Sequence, residues 1–479
     1  MILYFLIGIP LAAGGMAYAF PSNHYRPFLL PLAGAAHLAC VVAALGQPPI
    51  EAAQGWFLLD PVGKLVLLVV STVFFFCFLY APAYLRLREE RSNRIFTMCL
   101  LLLLSALSMV CFSRQLGVMW VAIEVTSLVS SPLIYFNHNE RSIEATWKYL
   151  LICSVGIALA LLGSFFMGYS SLVGGVPSNL MMDGLVASAQ SLSKPWLHAA
   201  FVTLLVGYGT KMGLAPLHTW KPDAYGESPG LVGALLAGGV TSCAFLAILR
   251  FTKIVHAAGD GLFADRTLVA FGLFSMAMGA VFMARQKDFK RMLAYSSVEH
   301  MGILVLGIGL GGVGIFGSFL HLLNNALTKG VLFLTSGNIH RAYKSKSTDA
   351  VAGAIRRLPI SGSLFLAGFI AVTGSPPFGP FVSEFTILRA SLEANRFGVG
   401  ALYLGLLMIV FMGMGSTVLK VCQGEPSPAA KATDYQDSFL FVVPSLILMG
   451  ALLWIGINIP QPLLDLVQQA ANDWVGGVL

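Results

Sequence analysis

The sequence predicts an all-α polytopic membrane protein, and three observations predict it. Of 479 residues, 57% are apolar and only 11% are charged, less than half the ~25% charged residues of a soluble domain. The apolar residues fall in repeated runs of about 20, each able to cross the hydrocarbon layer. No long polar stretch separates them, so 1–479 reads as a single membrane domain.

Taken in order, hydropathy places spans near 2–20, 28–46, 61–86, 95–113, 115–136, 144–169, 197–219, 229–250, 267–284, 292–310, 313–340, 360–388, 398–420 and 437–457, fourteen in all. The first run lacks a charged leader and another run follows at once, so it is expected to be a span and not a cleaved signal. The seventh span holds Gly213, Pro216 and His218, and the twelfth holds Gly374, Pro376, Pro377 and Pro380. Proline removes a backbone donor, so both spans are expected to be broken, as helices often are at transport sites. The sixth and eleventh spans share Ala-x-x-Lys with a glycine eight residues after the lysine (Lys148 with Gly156, Lys329 with Gly337), and each precedes a broken span. This predicts two inverted five-helix repeats, spans four to eight (95–250) and nine to thirteen (267–420). The tail at 460–479 spaces Leu463, Leu464, Val467 and Trp474 as a short amphipathic helix, expected along the membrane surface or on a partner.

The net charge of +7 gathers in loops after odd-numbered spans, such as Arg86 to Arg94, Lys221, Arg285 to Arg291 and Arg341 to Arg357. By the positive-inside rule those loops are cytoplasmic and both termini face the other side. No basic domain with interleaved aromatics exists, which excludes nucleic acid as a partner. The seven cysteines form no CxxC pair, so no metal, iron-sulfur group or other cofactor is expected in this chain.

A charge at mid-membrane costs at least ~2.5 kcal/mol, so each one is a functional hypothesis. Glu124, Lys148, Lys211, Lys329 and Glu384 lie in apolar runs, joined by His218, Glu299, His300 and His321, which can titrate or orient water. An acid and several bases on different helices are what proton transfer requires. The competing readings are a structural ion pair for Glu124 and Lys211, a snorkelling Lys148, and histidines that only bond a neighbouring helix. Glu299 reads also as a residue of the cytoplasmic edge, and His37 as structural.

Three strings resemble a known family: Lys211-Met-Gly-Leu-Ala-Pro-Leu-His218-Thr-Trp-Lys-Pro-Asp223, Lys290-Arg-Met-Leu-Ala-Tyr-Ser-Ser-Val-Glu-His300-Met-Gly, and Gly374-Ser-Pro-Pro-Phe-Gly-Pro-Phe-Val-Ser-Glu384. They resemble the antiporter-like subunits of respiratory complex I, of Mrp antiporters and of group 4 energy-converting hydrogenases, most of all the component F type of hydrogenase-4. The resemblance implies Glu124 and Lys211 as the pair on the intake side, His321 and Lys329 as central relay groups and Glu384 as the terminal exchange group. It also matches Lys148, and implies partner subunits, membrane and peripheral, in a bacterial or archaeal cytoplasmic membrane. One departure stands out: the eighth span carries Thr241 and Ser242 where complex I relatives often hold a lysine or histidine. Those hydroxyls are expected to order water between Lys211 and His321. The chain also ends soon after the fourteenth span, so the long lateral helix of the largest complex I antiporter-like subunit is not expected here. The function so implied is proton translocation inside a redox-driven complex, with a Mrp-type sodium/proton antiporter subunit and a non-pumping scaffold as alternatives.

Overall fold

A computed structural model describes residues 1–177 and 180–476. In chain order the helices are α1 (Ile2–Ala19), α2 (Leu29–Leu45), α3 (Pro61–Arg86), α4 (Arg94–Phe112), α5 (Leu116–Ile134), α6 (Glu140–Val173), α7 (Met182–Ala187), α8 (Lys194–Met212), α9 (Trp220–Glu227), α10 (Gly230–Leu235) and α11 (Thr241–Ala257). There follow α12 (Gly261–Met283), α13 (Phe289–Leu310), α14 (Val313–Tyr343), α15 (Ala354–Arg357), α16 (Pro359–Val372), α17 (Gly379–Glu393), α18 (Phe397–Cys422), α19 (Pro428–Lys431), α20 (Phe439–Ile457) and α21 (Gln461–Gly476). A small antiparallel hairpin, β1 (Ile50–Ala52) with β2 (Phe57–Leu59), lies between α2 and α3.

The helices begin where polar residues meet the apolar runs. Asp60 accepts from the Gly63 N–H at the start of α3, and Asn139 and Ser142 cap α6 reciprocally. Asp288 takes the Lys290 and Arg291 N–H groups ahead of α13, and Asp437 reaches across to those of Ile360 and Ser361 in α16. Each cap satisfies donors that the first helical turn leaves without a partner.

Among the described residues eleven helices are long and apolar enough to cross a membrane, which makes this a multi-pass membrane protein. One of them joins α10 and α11 through a π turn at Leu236–Val240. The other three expected spans are those that carry charge or break. They are α8 with α9, the long α14, which holds His321, Asn324, Asn325 and Lys329, and α16 with α17. Gly230–Ala257 is buried throughout its most apolar stretch and Phe289–Leu310 over 94% of it, against 33% for Ile2–Ala19 and Phe397–Cys422. The core is therefore built on α3, α4, α10, α11, α13 and α14, and the less buried α1, α2, α5, α6, α12, α18 and α20 form an outer ring. Close approach replaces hydrophobic drive inside the ring. A Cβ on Gly207 would lie 2.7 Å from the Gly156 carbonyl oxygen of α6, and one on Gly302 would lie 2.6 Å from that of Gly272 in α12.

Both breaks have the same design. α8 stops at Met212, Gly213 turns left-handed at φ +85°, and the chain resumes as α9. α16 stops at Val372, Gly374 takes φ +63°, and α17 resumes at Gly379. Only glycine holds such angles without a Cβ clash.

The tail corrects an expectation. Its apolar face is taken up within the chain, because Leu466, Val467, Ala470 and Trp474 of α21 are buried against the chain's own helices, with α3 and α14 as principal neighbours, while Leu463 and Leu464 stay partly exposed. The Trp474 indole donates to the Leu249 carbonyl at 3.4 Å, and the Lys253 ammonium donates to the Asp473 carbonyl at 2.8 Å. A buried indole N–H needs such an acceptor, and α11 supplies it. Residues 477–479 of the expected tail lie outside the described residues.

Candidate functional site

A row of polar side chains runs through the core, each held by a helix that the breaks or the packing keep in place. At one end Glu124 sits half-buried at the midpoint of α5, and the Ser127 hydroxyl lies beside it one turn on. Lys211, the last lysine of α8 before the break, is fully buried and donates to Ser127 Oγ at 2.9 Å and to the Tyr149 hydroxyl at 2.6 Å. Glu124 and Lys211 are thus joined through Ser127, and the direct pair expected from the sequence is not formed. The Tyr149 hydroxyl also meets Ser130 at 2.6 Å, so three side chains converge on the Lys211 ammonium and its partners.

The second half of the row centres on Lys329, near the midpoint of α14, whose ammonium donates to Ser296 Oγ at 2.6 Å. Beside it on α13 stand Glu299 and His300, 1% and 2% exposed. His300 Nδ1 and His321 Nε2 are 3.0 Å apart, and His321 Nδ1 lies 3.0 Å from Ser383 Oγ. Each His321 nitrogen therefore faces one partner, an arrangement in which one proton can be handed along the chain by tautomer exchange. Ser383 precedes Glu384, whose carboxylate folds over Gly374 at the second break. His300, His321 and Glu384 bring ligating atoms within 4.8 Å of one another and so have the donor set for a cation as well as for protons. Glu299 and His300 Nε2 face each other at 3.5 Å, and Glu384 Oε1, Glu124 Oε2 and the Asn325 amide are buried without a hydrogen-bond partner among the described residues. Buried polar atoms are otherwise paired, so these are open to water or an exchanging proton.

Several expected residues fall elsewhere. Lys148 is exposed at the rim, paired with Glu144 at 2.6 Å and Asp223 at 2.9 Å, and does not join the buried row. His218 is buried within the first break. The Thr241 and Ser242 hydroxyls donate to the carbonyls of Ala237 and Gly238 on their own helix, and neither reaches Lys211 or His321 by a hydrogen bond. This is the ordinary back-bond of a helical serine or threonine to the carbonyl four residues earlier, made also by Thr203, Thr252 and Thr328. His37 is held between Ser71 and Ser108 at 2.9 and 2.8 Å, away from the row.

Two further corrections concern depth. Glu299, which the sequence allowed as a residue of the cytoplasmic edge, is at the middle of α13. Lys221, read as a cytoplasmic loop charge, is fully buried. The missed signal was the break itself: a helix that stops at Gly213 places the following residues inside the protein and not beyond it.

On the face that the sequence predicts to be cytoplasmic, a cavity of about 860 Å³ opens between the ends of α3, α6, α13 and α14. Arg88, Arg141, Asp223, Glu227, Arg291 and His340 are among its lining residues. Just behind it the buried Lys290 ammonium donates to the Ser228 carbonyl.

A helical bundle that buries ionisable groups on several of its helices defines a class of membrane proteins that handle charge inside the bilayer. The family profile described as NADH:quinone oxidoreductase/Mrp antiporter, transmembrane, matches residues 113–412, and the chain belongs to this family. It is 32% identical to a protein named hydrogenase-4 component F homolog from Methylacidiphilum infernorum, over 78% of this chain and 80% of that one. It is 30% identical to NADH-quinone oxidoreductase subunit N of Desulforudis audaxviator, over 81% and 78% of the two chains. Among solved structures, a chain of the membrane-bound sulfane sulfur reductase, an archaeal respiratory membrane complex, superposes with a TM-score of 0.89 at 21% identity over the whole of both chains.

Proposed function

We propose that this chain is the proton-translocating, antiporter-like membrane subunit of a redox-driven multisubunit complex of the hydrogenase-4 or formate hydrogenlyase type. The observation that carries the reading is the set of buried ionisable groups on several helices, Glu124 with Lys211 in one cluster and Lys329, His300, His321 and Glu384 in the other. Protons move along these groups between neighbouring bases and hydroxyls, and electrons stay on partner subunits, membrane and peripheral. The same reading takes α8 with α9, α14, and α16 with α17 as crossings, fourteen in all with the eleven apolar helices. It pairs residues 95–250 with 267–420 as inverted repeats, places both termini on the non-cytoplasmic side of a bacterial or archaeal cytoplasmic membrane, and makes the basic cavity the cytoplasmic access.

A second reading, a subunit of a Mrp-type sodium/proton antiporter without redox chemistry, is favoured by the cation-competent trio His300, His321 and Glu384. A scaffold that moves no ions has no use for lysines that are fully buried at mid-helix, where each is costly. The test is the intact complex reconstituted in vesicles, with internal pH followed while electrons are supplied. Electron-driven acidification that survives replacement of sodium by choline supports the proposal. Acidification that requires a sodium gradient and no electron donor supports the second reading. In the same vesicles Glu124→Gln keeps the side chain's shape but cannot ionise, and is expected to abolish coupling in an assembled complex.

A further inference from the structure

The row as described leaves its centre open, since Lys211 contacts Ser127 and Tyr149 while Lys329 contacts Ser296. We propose that Lys221 is the proton-carrying residue that links these two lysines. The inference rests on the translocation reading given above and adds to it a residue that neither the sequence pattern nor the eighth span supplies.

Lys221 lies on α9, directly after the first break, and is fully buried. Its ammonium donates to the Met212 carbonyl at 2.7 Å and to the Ser297 carbonyl at 3.4 Å. Met212 is the residue after Lys211, and Ser297 is the residue after Ser296, the acceptor of Lys329. One side chain therefore reaches the backbone next to both lysine sites. The Tyr149 ring packs on Trp220 at 5.1 Å and Trp220 on Tyr225 at 5.9 Å, so Lys221 sits in an aromatic wall that begins at the partner of Lys211. The Ser297 hydroxyl is buried beside that of Tyr225, whose ring lies 5.7 Å from the Lys221 ammonium.

The two breaks point the same way. A Cβ on Gly213 would fall 2.6 to 2.7 Å from Cδ, Cε and Nζ of Lys221, and a Cβ on Gly374 would strike the Glu384 carboxylate. In each half a left-handed glycine makes room for an ionisable group a few residues further on. What Glu384 is to the second break, Lys221 is to the first.

A purely structural role would be to cap the Met212 carbonyl at the end of α8. That role does not need a titrating amine, because any fixed donor serves it, whereas Lys221 forms no ion pair with any carboxylate among the described residues. An ammonium buried without a counter-ion bears a desolvation cost that a resident charge would have to bear permanently. A carrier bears it only in transit. In the step itself the Lys221 ammonium gives a proton to the Lys329 amine, an N–H bond breaking on one nitrogen and forming on the other. Lys221 is then reprotonated from the Lys211 side.

The experiment uses the intact reconstituted complex and reads protons moved per electron transferred in the wild type, Lys211→Met, Lys221→Arg and Lys221→His. Arginine keeps the positive charge and the bond to Met212 but stays protonated, and histidine keeps an exchangeable proton. The expected result is a fall of about tenfold or more for Lys221→Arg, with partial recovery in Lys221→His. If the wild type translocates, Lys211→Met does not, and Lys221→Arg matches the wild type, Lys221 is a fixed cap and the inference is overturned while the function stands. If the wild type itself moves no protons, the translocation reading falls and the inference with it.

Discussion

Glu299 is the residue whose position most sharply separates a conducting row from a set of isolated buried charges. Neither of its oxygens makes a hydrogen bond among the described residues, yet it is 1% exposed and its nearer oxygen faces His300 Nε2 at 3.5 Å. A buried carboxylate that faces a titratable histidine is expected to serve transfer between Lys329 and the histidines. Glu299→Gln should then lower proton translocation by about tenfold or more while the complex still assembles. Vesicle acidification checks this, and an assembled variant that pumps normally removes Glu299 from the path. The candidate site was legible in the sequence where a charge interrupts a long apolar run, as at Glu124, Lys211, Lys329 and Glu384. It was not legible at Lys221, which sits in the locally polar string Trp-Lys-Pro-Asp just past the expected end of the seventh span, and at Glu299 the sequence left a cytoplasmic-edge reading open beside the titrating one. Nor does any sequence signal show that the Thr241 and Ser242 hydroxyls are taken up by their own helix.

At the scale of elements, the left-handed turn after α8 does two things, and they can be measured apart. Gly213→Ala meets the backbone penalty of ~1–2 kcal/mol for a non-glycine residue in that conformation, and its Cβ also displaces the Lys221 side chain. Gly175 has φ +74° with nothing within 4 Å of its Cβ position, so Gly175→Ala meets the backbone penalty alone. Thermal unfolding of the solubilised protein should show Gly213→Ala as the more destabilised of the two. Equal shifts would mean that Lys221 yields without cost. The tail offers a second test: Trp474→Ala removes a buried indole and its bond to Leu249, and is expected to cost about 3 kcal/mol. Protease should then cut near residue 460 in the variant and not in the parent. Helix positions were readable from the apolar runs to within a few residues, since length and hydropathy dictate them. The docking of α21 was not, because an amphipathic face is the same in sequence whether it meets lipid, a partner or its own bundle.

For the whole molecule, the orientation implied by the basic loops can be read from the two faces of the bundle. Lys344 is exposed at the cavity rim and Asn395 is exposed in the turn between α17 and α18, at the opposite end of the long helices. The native cysteines are buried apart from the partly buried Cys40, so a Cys40→Ser background leaves a single reactive thiol in Lys344→Cys or Asn395→Cys. A membrane-impermeant maleimide applied from the cytoplasmic side is expected to label the first and not the second, and the reverse pattern would invert the topology. The depth of the buried row has an electrical consequence. Glu124, Lys329, Glu299 and His300 all lie near the midpoints of their helices, Lys211 lies near the middle of the α8–α9 segment, and the Lys221 ammonium reaches back to the level of Met212 and Ser297. On the translocation reading, a proton passing from one to the next moves sideways, at nearly constant membrane potential, and does almost no work against the voltage. All of that work falls on the steps by which protons reach the row and leave it, each spanning half of the ~2.3 kcal/mol per charge that 100 mV represents. The transmembrane voltage then acts on this protein as a load on its two doors, and the corridor between them runs level.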